Sequence, residues 1–463
     1  MKKPFALNTL VMVLAVVVLV AVTTWVIPSG QYKREVVNGR TLVIPNSFEF
    51  IQNQPQGIGA VLSSPFKGFV QAAEIIGFLL MLGGSFTIIL KTGAITASIQ
   101  HLAKTFAEKP HLQKYFIPVT MVIFSVAGST FGMSEEVLLF IPLFIPLALS
   151  LGYDSFVGVA IPFLGAAAGF AGSVFNPFTV GIAQSIAQIP LYSGMEYRIV
   201  VWVISTVSMI VFVSRYAKRV RKDPTISTMY EHDQERKKTL HLSANAVEPF
   251  TAARKVILAS FIGGLGLLVY GVLTYEWWLS ELAALFLALG IFSGIVGRLS
   301  MDEMTDSFRE GAKDMVGVAL IIACARAILV IATDGRVLDV LLYACSGVIS
   351  SVHPVFAAQM MFLVQGVINF FVHSGSGQAA LTMPIMAPLA DVIGISRQTA
   401  VLAFQFGEGW INPILPTSGL TMGVLGLAQI PWNKWFRWML PAQIFFFILA
   451  LLLLVPPVVF NWQ

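Results

Sequence analysis

Charge is scarce in this sequence. Lys, Arg, Asp and Glu make up 11% of its 463 residues, whereas a soluble domain carries about 25%, so a water-soluble globular fold is excluded. Cysteine is nearly absent. Cys324 and Cys345 stand apart in apolar surroundings and form neither a metal motif nor a disulfide framework. No HExxH, CxxC, Walker A or GxSxG pattern occurs, so no enzyme signature is present. The formal charge is +5. In so apolar a chain the placement of charge matters more than its total, and nothing points to nucleic acid.

What the sequence has is hydrophobic length. Apolar residues make up 56% and the mean hydropathy is +0.80. The runs, of about 18 to 20 residues, are helix-type spans rather than alternating barrel strands. The first, roughly 8–27, follows two lysines as a signal peptide would, but it is too long and no A-x-A-type site follows, so it reads as a retained helix. Further full spans are expected at 68–91, 197–214, 255–275, 279–298, 313–333 and 437–459. The fold class expected is therefore an all-α polytopic membrane protein.

Two regions do not read as ordinary spans. Residues 114–150 place "GSTFGMSEE" between apolar arms of about 14 to 16 residues, roughly 20 to 24 Å of helix, short of a ~30 Å hydrocarbon core. Residues 355–391 repeat the plan around "VHSGSGQ". Both read as re-entrant hairpins, since irregular backbone at membrane depth needs shielding by protein or a water-filled cavity. After each comes an apolar run broken by Gly and Pro: 156–188, interrupted at "GSVFNPFTVG", and 396–428, interrupted at "INPILPTSGLTMG".

A shift of 242 positions superposes the two regions. Pro142 and Pro146 fall on Pro384 and Pro388, Gly152 on Gly394, Ser134 on Ser376, and after a one-residue gap "QIP" at 188–190 falls on "QIP" at 429–431. Two membrane copies with matching interruptions indicate a secondary transporter. The expected organisation is a first transmembrane helix and periplasmic segment (1–67), a first repeat (68–214), a cytoplasmic basic linker (215–254), scaffold helices (255–298) and a second repeat (299–463). The stretch 215–255 holds ten Lys/Arg against five acids and reads as a solvated loop. The basic, amphipathic 92–113 reads as a helix lying along the surface.

With a cytoplasmic N-terminus and nine full spans, 92–113, 215–255 and the loop with Lys434 and Arg437 face the cytoplasm. The stretch 336–350 then faces outward and the C-terminus is periplasmic, as the positive-inside rule requires. Full crossing by both arms of 114–150 would leave this orientation unchanged. The hairpins would open from opposite sides, making the repeats inverted.

The four breaks should converge near the midplane. Half-helix N-termini there suit anions, and unwound carbonyls with Ser, Thr and Asn side chains suit cations. The candidates are Ser129, Thr130, Ser134, Asn176 and Thr179 in the first repeat, and Ser374, Ser376, Gln378, Asn412, Thr417 and Ser418 in the second. Each of these could instead serve helix packing. Glu135 and Glu136 begin the second arm of the first hairpin. A charge at the midplane costs at least ~2.5–3.5 kcal/mol and a first-turn dipole returns only about 0.3–2, so capping alone does not account for two acids. They point about 100° apart on a helix, so one faces the site and the other does not; which one is open. Glu408, between two glycines, either binds a cation or serves packing. Trp410 either stacks on a guanidinium or packs between helices. Arg326 reads first as a structural ion pair or a snorkelling side chain, with a substrate carboxylate as the alternative. His373 reads as a locally satisfied residue, with proton coupling as the alternative.

The stretches "STFGMSEEVLLFIPLFIPLALSLGYDS", "AGFAGSVFNPFTVGIAQSIAQIP", "HSGSGQAALTMPIMAPLADVIGISRQTAVLAFQFGEGW" and "LPTSGLTMGVLGLAQIPWNKW" resemble the YfcC-like branch of the anaerobic C4-dicarboxylate carrier family, within the wider ion transporter superfamily. The resemblance covers the chain outside 216–253. It implies a homodimer in the bacterial inner membrane, with a scaffold and a moving transport domain working as an elevator. It also implies a basic amino acid as substrate for the branch, and C4-dicarboxylates for the wider family. The expectation is a non-enzymatic secondary transporter of a basic amino acid, by antiport or ion coupling. The alternative is a C4-dicarboxylate carrier coupled to sodium or protons. A channel is disfavoured by the proline-broken repeat. The partners expected are a small-molecule substrate, membrane lipid and a second copy. No cofactor is called for beyond sodium, protons or a counter-substrate, and the one open metal is sodium near the hairpin tips.

Overall fold

The computed structural model describes residues 9–37, 40–44, 46–98, 101, 110–130, 132–239, 249–275, 277–349 and 352–462. Helix dominates. Among the described residues, five helices are long and apolar enough to cross a membrane by length and composition: Ala73–Lys91, Met195–Lys222, Leu279–Val296, Met301–Asp334 and Trp432–Val459. Shorter apolar helices, Ile141–Ser150 and Ser155–Ala171 among them, make up much of the rest. Length and composition alone therefore do not reproduce the expected nine full spans.

The helices form two packing groups. In the first, Met301–Asp334 packs against Thr9–Val26, Ile58–Gln71 and Ala73–Lys91, and the last of these packs on Leu279–Val296 and so reaches Ala252–Tyr275. Ser300 and Glu303 start the long helix with reciprocal caps: each side chain accepts the other's backbone N–H. Between apolar helices in lipid, close approach rather than hydrophobic burial supplies the attraction. Gly83 and Gly311 supply that approach, since a Cβ on either would run into the other's carbonyl oxygen.

The second group holds both hairpins, both broken helices, Met195–Lys222 and the C-terminal helices. The first hairpin consists of Pro110–Thr130, a tip, a 3-10 turn Glu135–Leu139 and Ile141–Ser150; the second consists of Pro354–Asn369, a tip and Gly375–Ile393. The 21-residue first arm runs about 31 Å, so arm length does not mark this hairpin, contrary to expectation. The first broken helix is Ser155–Ala171, a π turn Pro177–Gly181 and Ile182–Ile186. The second is Arg397–Gly409, a 3-10 turn Asn412–Ile414 and Gly419–Leu427.

Two of the features shared by the repeats, the glycines and the "QIP" tripeptides, are helix stops. Gly152 and Gly394 have φ of 83° and 79°. Just past them the N–H of Tyr153 reaches the Ala148 carbonyl (2.9 Å) and that of Ile395 the Ala390 carbonyl (3.0 Å). In the shared "QIP", Gln188 and Gln429 take φ of 56° and 52°, and the N–H groups of Ile189 and Ile430 bond back to Gln184 (3.1 Å) and Leu425 (2.9 Å). These are left-handed C-terminal caps, and the proline that follows forbids further helix.

Contacts across the second group fix the direction of its broken helices. Arg397 Nη1 donates to the Ala187 carbonyl (2.7 Å), and Gln184 Nε2 donates to Gln398 Oε1 (3.1 Å). Arg236 donates to both Ser155 Oγ and the Ala428 carbonyl, each at 2.7 Å. The start of each broken helix therefore lies beside the end of the other.

Three expectations need correction. Residues 28–66 are not simply polar loop in an all-α chain. Two small antiparallel ladders, Gly30–Gln31 with Glu49–Phe50 and Arg34–Val37 with Arg40–Val43, precede a helix that already starts at Ile58. That helix stops at Gln71 and a second begins at Ala73, so the expected span 68–91 starts five residues later and the boundary at 67 falls inside a helix. The small ladders are anchored by Arg34, whose guanidinium holds Asp339 at 2.7 Å, and Lys67 pairs with Asp334 at 2.9 Å.

The basic linker is not a solvated loop over its first half. Met195–Lys222 runs on through Lys222, and Tyr230–Thr239 is a helix. Asp233 accepts from the Ser155 N–H (2.9 Å) and the Ser155 hydroxyl, Ser227 and Tyr216 donate to Asp154 (both 2.6 Å), and Lys434 donates to the Thr228 carbonyl (2.6 Å). This clasp ties the start of the first broken helix to the end of the second. Residues 240–248, and residues 99, 100 and 102–109 of the expected surface helix at 92–113, lie outside the described residues.

Candidate substrate-binding cavity

Between the two groups lies a cavity of about 280 Å³, room for a small metabolite. All four breaks reach it. The first tip contributes Gly132, Ser134 and Glu135; the first broken helix contributes Phe178 and Thr179; the second tip contributes His373, Ser374 and Ser376; the second broken helix contributes Glu408, Asn412, Thr417 and Ser418. The first group closes the other wall with Gln71, Glu74, Trp278 and Arg326.

Local chain chemistry positions these groups. Ser374 Oγ accepts the Gly377 N–H (3.2 Å) and Ser418 Oγ the Thr421 N–H (3.3 Å), so each caps a helix whose N-terminus opens at the cavity. His373 Nε2 lies 2.7 Å from Thr417 Oγ1 and joins the second tip to the second broken helix. A Cβ on Gly375 would fall 2.5 Å from Thr179 Cγ2 and 3.6 Å from Glu408 Oε1, so only glycine lets this tip close over both residues. Glu408 is 2% exposed. Its Oε1 accepts from Asn412 Nδ2 (3.2 Å), while among the described residues Oε2 has no partner, and neither has the buried Thr179 hydroxyl.

Five predicted residues are not in the cavity lining. Ser129 binds the backbone of the first break, its Oγ accepting the Val174 N–H (3.1 Å) and its carbonyl the Phe175 N–H (3.0 Å). Thr130 Oγ1 donates back to the Val126 carbonyl (2.7 Å) within its own helix. Glu136 is buried, with Oε2 accepting the Ser134 N–H (2.9 Å): the capping role falls to it and the cavity to Glu135. Asn176 Oδ1 caps Phe178 N–H (2.9 Å). Gln378 donates to the carbonyl and side chain of Gln365 (both 2.8 Å) inside the second hairpin.

Trp410 stacks on Phe406 at 4.7 Å, a packing role. Arg326 makes no hydrogen bond and no ion pair within 4 Å among the described residues, and it shares the cavity lining with Glu135. Glu74 was missed, although a lone acid in the apolar run "AAEIIGFLL" is itself a signal. Gln71 and Trp278 carry no such signal. Among the described residues no group of three or more His, Cys, Asp or Glu side chains is arranged to hold a metal ion.

Apolar helices, interrupted where they meet a charged internal cavity, define a multi-pass membrane transport protein, a carrier rather than an enzyme. The model of the C4-dicarboxylate anaerobic carrier family matches residues 7–458, and the chain belongs to that family. It is 36% identical to an Escherichia coli (strain K12) protein described as "Putative basic amino acid antiporter YfcC", over 93% of this chain and 92% of that one. It is 30% identical to an uncharacterized Haemophilus influenzae protein, over 95% and 94%. Among solved structures, the YdaH transporter of Alcanivorax borkumensis aligns over 98% of this chain and 99% of its own, with 14% identity and a TM-score of 0.41. MtrF of Neisseria gonorrhoeae, from a class of antimetabolite efflux pumps, aligns over 98% and 95%, with 18% identity and a TM-score of 0.40.

Proposed function

We propose that the chain is a secondary transporter of basic amino acids, working by antiport or ion coupling. The observation that carries this reading is the partnerless Oε2 of buried Glu408, in a cavity lined by three carboxylates (Glu74, Glu135, Glu408) and a single guanidinium. A buried carboxylate oxygen without a partner is costly and favours a cationic ligand. A basic amino acid carries two cationic groups and one carboxylate, an excess of the opposite, complementary sign. The description of the Escherichia coli relative agrees with this substrate class.

The two helix groups supply the parts of an elevator: the first a scaffold, the second a transport domain that moves with the substrate. The opposed broken helices favour inverted repeats. The protein sits in the inner membrane with a cytoplasmic N-terminus and a periplasmic C-terminus, as a homodimer, with sodium, protons or a counter-substrate as the coupling species and no organic cofactor.

Uptake of labelled arginine, ornithine and succinate into proteoliposomes tests the reading. Saturable arginine or ornithine uptake, accelerated by internal basic amino acid, is expected; succinate uptake without either would overturn it. The second reading, a C4-dicarboxylate carrier, draws on the family description and on Arg326 facing the cavity. In that case the glutamates would hold coupling cations.

A further inference from the structure

Arginines are costly inside a membrane and are almost always engaged. Even in the segments between the long apolar helices, Arg34 holds Asp339, Arg236 reaches Ser155 and the Ala428 carbonyl, and Arg397 takes Asp391 and the Ala187 carbonyl. Arg326 differs. It lies eight residues, about 12 Å of helix, inside the end of Met301–Asp334. Its own helix offers Ala323, Cys324, Ala325, Ala327 and Ile328 around it, with no acceptor side chain. It is the only Lys or Arg in the cavity lining, and among the described residues it has neither a hydrogen bond nor an ion pair within 4 Å. Across the cavity, on the other helix group, stands Glu408 with its unpartnered oxygen.

We propose that Arg326 is the specificity residue that binds the substrate's carboxylate from the scaffold side, while Glu408 takes a cationic group on the transport side, so that one amino acid bridges the two helix groups. The proposal rests on the basic amino-acid reading. The guanidinium fork matches a carboxylate with two parallel N–H···O bonds, a geometry that an ammonium does not reproduce. Glu135 shares the cavity lining and competes with a substrate carboxylate for the guanidinium. A diamine or a decarboxylated amino acid would satisfy Glu408 and leave Arg326 unmatched. The site therefore selects amino acids over the corresponding amines.

The test compares binding of arginine and of agmatine, its decarboxylated analogue, to purified full-length protein by titration calorimetry. Wild type should prefer arginine by roughly 10- to 100-fold, the worth of a charge-assisted bond. Arg326→Gln should bring arginine down to the affinity of agmatine and leave agmatine within about threefold of wild type. Arg326→Lys should recover part of the preference, which a merely structural arginine would not. Equal wild-type affinities, or an equal loss of both ligands in Arg326→Gln, would overturn the assignment. So would restoration of arginine binding by the Glu135→Gln, Arg326→Gln double variant, because it would make Arg326 only the partner of Glu135. Succinate binding with no arginine or agmatine binding would overturn the reading on which the proposal rests. Arginine binding indifferent to Arg326→Gln would overturn this step alone.

Discussion

Adjacent residues in one turn can have unrelated duties, and Glu135 and Glu136 do. Glu136 turns back to the Ser134 N–H, whereas Glu135 faces the cavity. The repeat accounts for Glu136. Its counterpart 242 positions on is Gln378, also buried and bonded inside its hairpin. An amide therefore suits this position. Glu136→Gln is expected to fold and to keep at least about half of wild-type uptake, whereas Glu135→Gln should lower the apparent substrate affinity roughly tenfold or more. Proteoliposome uptake with thermal melting on the same samples checks both; equal losses would show that the two acids act together. Glu408 was legible as an acid between glycines beside a break. Which of the two adjacent acids faces the site was not, because the 3-10 turn that aims them leaves no mark in the sequence. Arg326 was legible as an intramembrane charge but not as an unpaired one, since pairing depends on the whole packing.

At the scale of elements, the repeat was readable because helix stops demand particular residues. The glycines and the "QIP" tripeptides mark where backbones turn left-handed. Glutamine bears this conformation less easily than glycine, by roughly 1–2 kcal/mol. Gln188→Gly and Gln429→Gly are each expected to be neutral or stabilising by up to about 1 kcal/mol, with valine destabilising at both; melting temperatures of the four variants decide. The clasp at 224–239 was not readable. Its hold comes from side chains bonded to distant backbone and hydroxyl groups, which leave no hydrophobic periodicity, so a packed element looked like a charged loop. Asp233→Ala removes the partner of Ser155 and the counter-charge of partly buried Arg236 at 3.9 Å. A loss of about 3 kcal/mol is expected, with faster amide exchange at both 153–158 and 230–238. Exchange faster in only one of these segments would mean that the clasp does not couple them.

For the molecule as a whole, the contacts sort the loops into two sets, one of them at the C-terminal end of a 34-residue helix about 51 Å long. Arg34 and Lys67 meet the C-terminal end of this helix and the start of the next, through Asp334 and Asp339. The clasp gathers Ser155, Thr228, Ala428 and Lys434. Charge bias, which counts loops and needs no fold, expects these two sets on opposite sides of the membrane. After replacement of Cys324 and Cys345, an impermeant thiol reagent on intact cells should label Ser193→Cys and spare Thr228→Cys, whose side chain is exposed. The reverse pattern would invert the proposed orientation.

The clasp also sets a mechanical limit. At one end Arg236 fastens the chain to the broken helices. At the other Arg254 fastens it to the Thr92 carbonyl, at the foot of the first helix group. Between Thr239 and Ala252 the covalent chain can reach at most about 45 Å. Under the elevator proposed above, it is a leash between the two helix groups, and its length is a ceiling on the stroke that carries substrate across the membrane.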